Sequence, residues 1–169
     1  MINNDILRSI RYTFDYSDLK MVAIFGLAGL PVTRDDLGRW LKKEDDPAFQ
    51  HCGDTQLAGF LDGLIYERRG QKEGSQPQTE KRLTNNSIFK KLKIALDLKS
   101  SDIVEILDLA DLNVGEHELS AFFRRPGHKH YRLCRDQILR NFLKGLQLKY
   151  RGQTSTVTHK AEIATETIW

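Results

Sequence analysis

Arg124, Arg125, Lys129, Arg132, Arg135 and Arg140 crowd into residues 124–140, with Tyr131 interleaved and Lys144 a turn further on. Cationic side chains at this density neutralise phosphates, and an aromatic ring among them can stack on a base. Nucleic acid is therefore the partner that this stretch suggests, contacted through Arg124, Arg125, Lys129, Tyr131, Arg132, Arg135, Arg140 and Lys144. Lys90, Lys91 and Lys93 add charge upstream. The competing reading is a solvated face, because basic runs are common on proteins that bind no polyanion.

Other residue types invite chemistry and fall short of it. Cys52 and Cys134 suggest a thiol nucleophile, but a nucleophile needs a base beside it. His51 adjoins Cys52, whereas Leu133 adjoins Cys134. Two buried small residues are the expectation. Asp54 and Asp136 suggest a carboxylate pair for acid–base work, yet each stands where a helix N-cap belongs. His128-x-His130-x-x-x-Cys134 has the look of a metal run, with no further Cys/His cluster to complete a tetrahedral site. Neither a metal nor a cofactor is expected. Glycine-rich phosphate loops, His-Glu-x-x-His and serine-nucleophile motifs do not occur, which argues against an enzyme. Residues 102–125 have a helix–turn–helix outline, but the turn is long and Asp111, Glu116 and Glu118 would repel phosphate.

The elements that must position these residues come in duplicate. Shifting the sequence by 82 positions lays Asn3–Gly70 on Asn85–Gly152 without a gap. Cys52-x-Asp54 then meets Cys134-x-Asp136, and Phe60-Leu61-x-Gly63-Leu64 meets Phe142-Leu143-x-Gly145-Leu146. The copies agree at apolar, glycine and boundary positions and differ at charged ones. Residues 1–70 hold 9 Lys/Arg against 11 Asp/Glu, and 85–152 hold 13 against 8, so the copies carry −2 and +5. One copy can meet an acidic partner that the other would not. Phe49 aligns with Tyr131, which favours a core role for that ring.

Each copy reads as four helices. Asn4 or Asn86 is the expected N-cap of the first, and Ile6, Leu7, Ile10 and Phe14 recur at helical spacing. The second is expected to start near Ser17 or Ser101. The third is expected over Arg34–Lys43 or Glu116–Arg125, with Thr33 as a cap and Asp35-Asp36 at the positive end of the dipole. The fourth is expected from Asp54 or Asp136 to Gly70 or Gly152, glycines suited to a left-handed helix end. Gly63 and Gly145, mid-helix in both copies, mark a close helix crossing. Residues 71–84 read as a flexible linker, and 153–169 as a disordered tail.

At 169 residues, 40% hydrophobic and 29% charged, the chain has the composition of a globular protein. No apolar run approaches the ~20 residues of a membrane span. Met1-Ile2-Asn3-Asn4-Asp5 lacks the features of a signal peptide, and two cysteines make no disulfide framework. A cytoplasmic location with reduced thiols is the expectation.

The stretches Asn3-Asn4-Asp5-Ile6-Leu7-Arg8, Trp40-Leu41-x-Lys43-Glu44-Asp45, Phe60-Leu61-x-Gly63-Leu64-Ile65-Tyr66-Glu67-x-Arg69-Gly70 and His128-Lys129-x-Tyr131-x-x-Cys134-x-Asp136-Gln137 carry a family likeness. Over about residues 1–150 the chain resembles the YehS-like bacterial proteins, a domain of unknown function present in two copies. The resemblance implies a bacterial, cytoplasmic, two-repeat protein and supplies no catalytic or binding residues.

The expectation is thus an all-α fold: two tandem four-helix repeats, 1–70 and 85–152, packed into one helical domain. The leading functional expectation is a non-enzymatic nucleic-acid-binding or regulatory protein acting through the basic second repeat. The rival is a protein-interaction adaptor gripping a protein partner with unlike faces. An enzyme with a site between the repeats is the remote third. Oligomeric state is left open.

Overall fold

A computed structural model describes residues 1–70 and 82–162, with side chains through residue 151. Among these residues the fold is all-α. The first repeat comprises α1 (Asn3–Phe14), α2 (Asp18–Leu27), α3 (Arg34–Leu41) and α4 (Asp54–Arg69). The second comprises α5 (Asn85–Ala95), α6 (Ser100–Leu109), α7 (Glu116–Ser120) and α8 (Asp136–Glu162), with a 3-10 turn at Ala121–Phe123 after α7.

The helix starts follow local chemistry, with three corrections. Ser17 and Thr33 cap α2 and α3 as expected, each accepting a backbone N–H three residues on, from Lys20 at 3.1 Å and Asp36 at 3.0 Å. Asn4 and Asn86 are not caps. α1 starts earlier, after Ile2, whose N–H donates to the Asp5 carboxylate at 2.9 Å. α5 is capped by Thr84, which accepts from Ser87 N–H at 3.1 Å. Both asparagine side chains are buried and used elsewhere. Ser101 is likewise inside α6, because Asp102 reaches back to the Lys99 N–H at 2.7 Å and moves the boundary forward. Asp54 is the first residue of α4 rather than its cap, which is Gly53; Asp136 is the first residue of α8.

The third helices are shorter than expected, ending at Leu41 and Ser120. The carbonyls of Trp40 and Phe122 accept from the Asn4 and Asn86 amides at 2.9 and 3.0 Å, and so leave the helical ladder. Gly70 ends α4 at φ 83°. Gly152 ends nothing, since α8 continues to Glu162. Part of the tail expected to be disordered thus falls on α8, and 163–169 lie outside the described residues, as do 71–81 of the expected linker.

Packing is reciprocal between the repeats. α4 lies on α2 within its own repeat and on α5 of the other; α8 lies on α6 and on α1. The central glycines make the within-repeat crossings close: a Cβ at Gly63 would collide with the Ile24 carbonyl oxygen, and one at Gly145 with that of Ile106. Around these contacts one contiguous core runs through both repeats. Phe25, Trp40 and Phe60 cluster in the first, with centroids 5.1 and 5.7 Å from Phe25. Phe89, Phe122, Phe123 and Phe142 do so in the second, with centroids 4.6–6.3 Å from Phe89.

The seams between repeats carry matched polar contacts. Asp54 accepts from Leu83 N–H at 3.0 Å, and Asp136 meets the Met1 ammonium at 3.4 Å, at the corresponding place. Arg69 pairs with Asp97 at 2.7 Å and Arg151 with Asp15 at 3.8 Å. Asp15, at the end of α1, and Asp97, two residues past the end of α5, both adopt the left-handed region, at φ 54° and 53°, a conformation that Asp tolerates better than most residues.

Candidate nucleic-acid interface

The basic residues belong to a loop that the fold builds twice. In each repeat the loop joins the third helical segment to the fourth helix and is pinned by an Asn-Asn pair on the first. Asn86 Nδ2 donates to Phe122 O at 3.0 Å and Arg132 O at 2.7 Å, while its Oδ1 accepts from Cys134 N–H at 2.9 Å. Asn85 Nδ2 donates to Cys134 O at 3.0 Å and to Asp136 at 2.7 Å. Asn4 makes the matching contacts to Trp40, Gln50 and Cys52, and Asn3 to Cys52 and Asp54. A buried amide that satisfies three backbone groups fixes a loop with no regular structure of its own.

The same brace explains the duplicated Cys and Asp. Both thiols are buried, and burial, helped by the neighbouring carboxylate, pushes each up to about 12. Neither is a nucleophile near neutral pH. The Asp54 and Asp136 carboxyls are held below the ordinary range, first by the Asn3 and Asn85 amides.

What differs is the loop's charge. Residues 42–53 hold two lysines against three acidic residues, and 124–135 hold five Lys/Arg and no Asp or Glu. Arg124, Arg125 and Tyr131 come together with Lys90, Ile94 and Phe123 around a hollow of about 400 Å³. In the first repeat the counterpart positions are Lys42, Lys43, Phe49, Arg8, Tyr12 and Leu41. There Arg8 is engaged, donating to Lys42 O at 2.8 Å and to Asp5 at 2.7 Å. Ser87 replaces Asp5 in the second repeat, so the carboxylate that draws Arg8 inward is gone.

The remaining expected residues are dispersed. Arg132 meets Arg124 and His130 at a second hollow of about 440 Å³, and Arg135 at a third of about 450 Å³. Lys129 is exposed in the turn. Arg140 and Lys144 lie apart, with Asp5, Ser9 and Gln147 around a hollow between α1 and α8. Lys91 is taken by the seam between repeats, paired with the buried Asp62 at 2.6 Å, and Lys93 sits 4.8 Å from the Phe123 ring. His128 Nδ1 accepts from His130 N–H at 3.0 Å within the loop. No group of three metal-ligating residues occurs among the described residues.

Sequence reasoning missed the Asn-Asn brace, and the signal for it was present. Asn3-Asn4 and Asn85-Asn86 are identical in the two copies, while the next residue changes from Asp5 to Ser87.

An all-α frame that displays one loop twice, with unlike charge, defines the class. The family model described as "Protein of unknown function (DUF1456)" matches residues 3–70 and again 85–152, and the chain belongs to that family. It is 44% identical to the "Uncharacterized protein YehS" of Escherichia coli (strain K12) over 147 residues, 86% of this chain and 94% of the relative. No solved structure matches. No helix among the described residues is long and apolar enough to cross a membrane.

Proposed function

We propose that the chain is a binding protein for nucleic acid and takes phosphate on the loop and helix surface formed by Lys90, Arg124, Arg125, Arg132 and Arg135. The carrying observation is the contrast between two loops on one frame. None of these five side chains pairs with a carboxylate among the described residues, whereas Arg8, at the position of Lys90, is neutralised by Asp5. A frame that is kept while its charge is inverted points to the charge as the working part. The adaptor reading has no comparable feature to carry it.

Anisotropy of labelled mixed-sequence oligonucleotides, titrated from 50 to 200 mM salt, tests the proposal. Four phosphate contacts give a log–log slope of about −3 on a single strand, hence a loss of about fiftyfold over that range. Arg125→Glu/Arg132→Glu, two exposed sites, is expected to abolish binding. Lys42→Glu/Lys43→Glu in the first repeat is expected to leave it unchanged. Equal loss in both variants, or no binding at low salt, refutes the proposal.

A further inference from the structure

We infer that the nucleic acid bound here is a single strand, laid along three linked hollows around the 3-10 turn, an inference that rests on the nucleic-acid reading above. Arg124 forms a wall of both the first and the second hollow, Arg132 of both the second and the third, and Phe122 of both the third and the first. The first hollow thus meets the second, and the second the third, across a cationic partition, while the third and first share Phe122. Among the described residues lining the three, Glu118 is the only carboxylate. The Arg124 Nε is buried with no hydrogen-bond partner, at the partition between the first two.

The lining between the cations is apolar and open. Ile94 is 42% exposed in α5, near Phe123 and Tyr131 in the first hollow, and Leu133 is 64% exposed in the third. A duplex keeps its bases stacked inside and offers a ridge of phosphates, which would meet the arginines and leave these recesses empty. A single strand offers the faces of its bases as well as its phosphates. Bases can enter the recesses and stack on Tyr131 while the phosphates lie on Arg124 and Arg132 between them.

The test compares a fluorescein-labelled, unstructured 12-nucleotide strand with its duplex at 50 mM salt, using the full chain. The single strand is expected to bind at least tenfold tighter. Leu133→Ser and Tyr131→Ala are each expected to weaken it about tenfold with the salt slope unchanged, since they remove apolar contact and not charge. Arg132→Gln is expected to make the slope shallower by about 0.7. The exposed Leu133 provides a variant that does not threaten the core, should Tyr131→Ala fold poorly. Equal or tighter duplex binding, or single-strand binding indifferent to both Leu133→Ser and Tyr131→Ala, overturns this inference and leaves the proposed function standing. Failure of both probes to bind overturns both.

Discussion

At the scale of single residues, the asparagines and aspartates matter more than the cysteines that first draw the eye. Asn86 satisfies two carbonyls and one N–H of the basic loop, and its bonds to Phe122 O and from Cys134 N–H are buried. Asn86→Ala is expected to lower stability by about 3 kcal/mol in urea unfolding, the sum of buried groups left unpaired. It is also expected to weaken nucleic-acid binding under folding conditions. Asn4→Ala is expected to match it in stability while sparing the binding. Asp54 gives a pH signature. Its carboxyl is lowered in the folded chain, so its contribution is present above the unfolded value, near 3.8, and is lost as pH falls through the folded value. Asp54→Asn is therefore expected to be less stable than the parent at pH 7, with the gap between urea midpoints narrowing as the pH falls below the unfolded value. A gap that widens on acidification would contradict the assigned brace.

At the scale of elements, the helix crossings set the tolerances. Alanine is the better helix former by about 1 kcal/mol, yet Gly63→Ala is expected to cost about 3 kcal/mol, because its Cβ meets the Ile24 backbone of α2, which cannot swing aside. Gly38→Ala in α3 meets nothing within 4 Å and is expected to stabilise by about 0.5–1 kcal/mol. Thermal melts of the two variants separate packing from propensity. Much of this level was legible in the sequence. Apolar spacing marked the first helix of each repeat, Ser17 and Thr33 marked the starts of α2 and α3, and the duplicated glycines marked the crossings, while the ends of the third helices and of α8 were misplaced. The misplacements at Asn4 and Ser101 share one cause: a carboxylate reaching back from the first turn caps as well as a residue at the start. Asn4, freed from capping, is claimed by the loop. Such a bond joins residues 36–48 apart and leaves no local pattern. Among candidate site residues, charge made Arg124, Arg125 and Arg132 visible. Nothing local reveals that Lys91 is consumed by Asp62 of the other repeat, or that Arg140 and Lys144 fall beside α1.

At the scale of the whole molecule, each repeat completes the other. α4 needs α5 and α8 needs α1, and units of about 70 residues are marginal alone. The isolated segment 1–70 is expected to be largely unfolded or self-associated by circular dichroism and sedimentation. Mixing it with 82–169 is expected to restore helix and a 1:1 species. Duplication thus gives stability through symmetry, and divergence of the loops breaks that symmetry where a ligand can use it.

Photo-cross-linking of a 5-iodouridine-substituted single strand, followed by peptide mapping, tests that division of labour most directly. Adducts are predicted on the second-repeat loop, with Tyr131 foremost, and none on residues 42–53. Adducts at Phe49 or elsewhere in the first repeat, with the basic loop unmodified, would contradict the account.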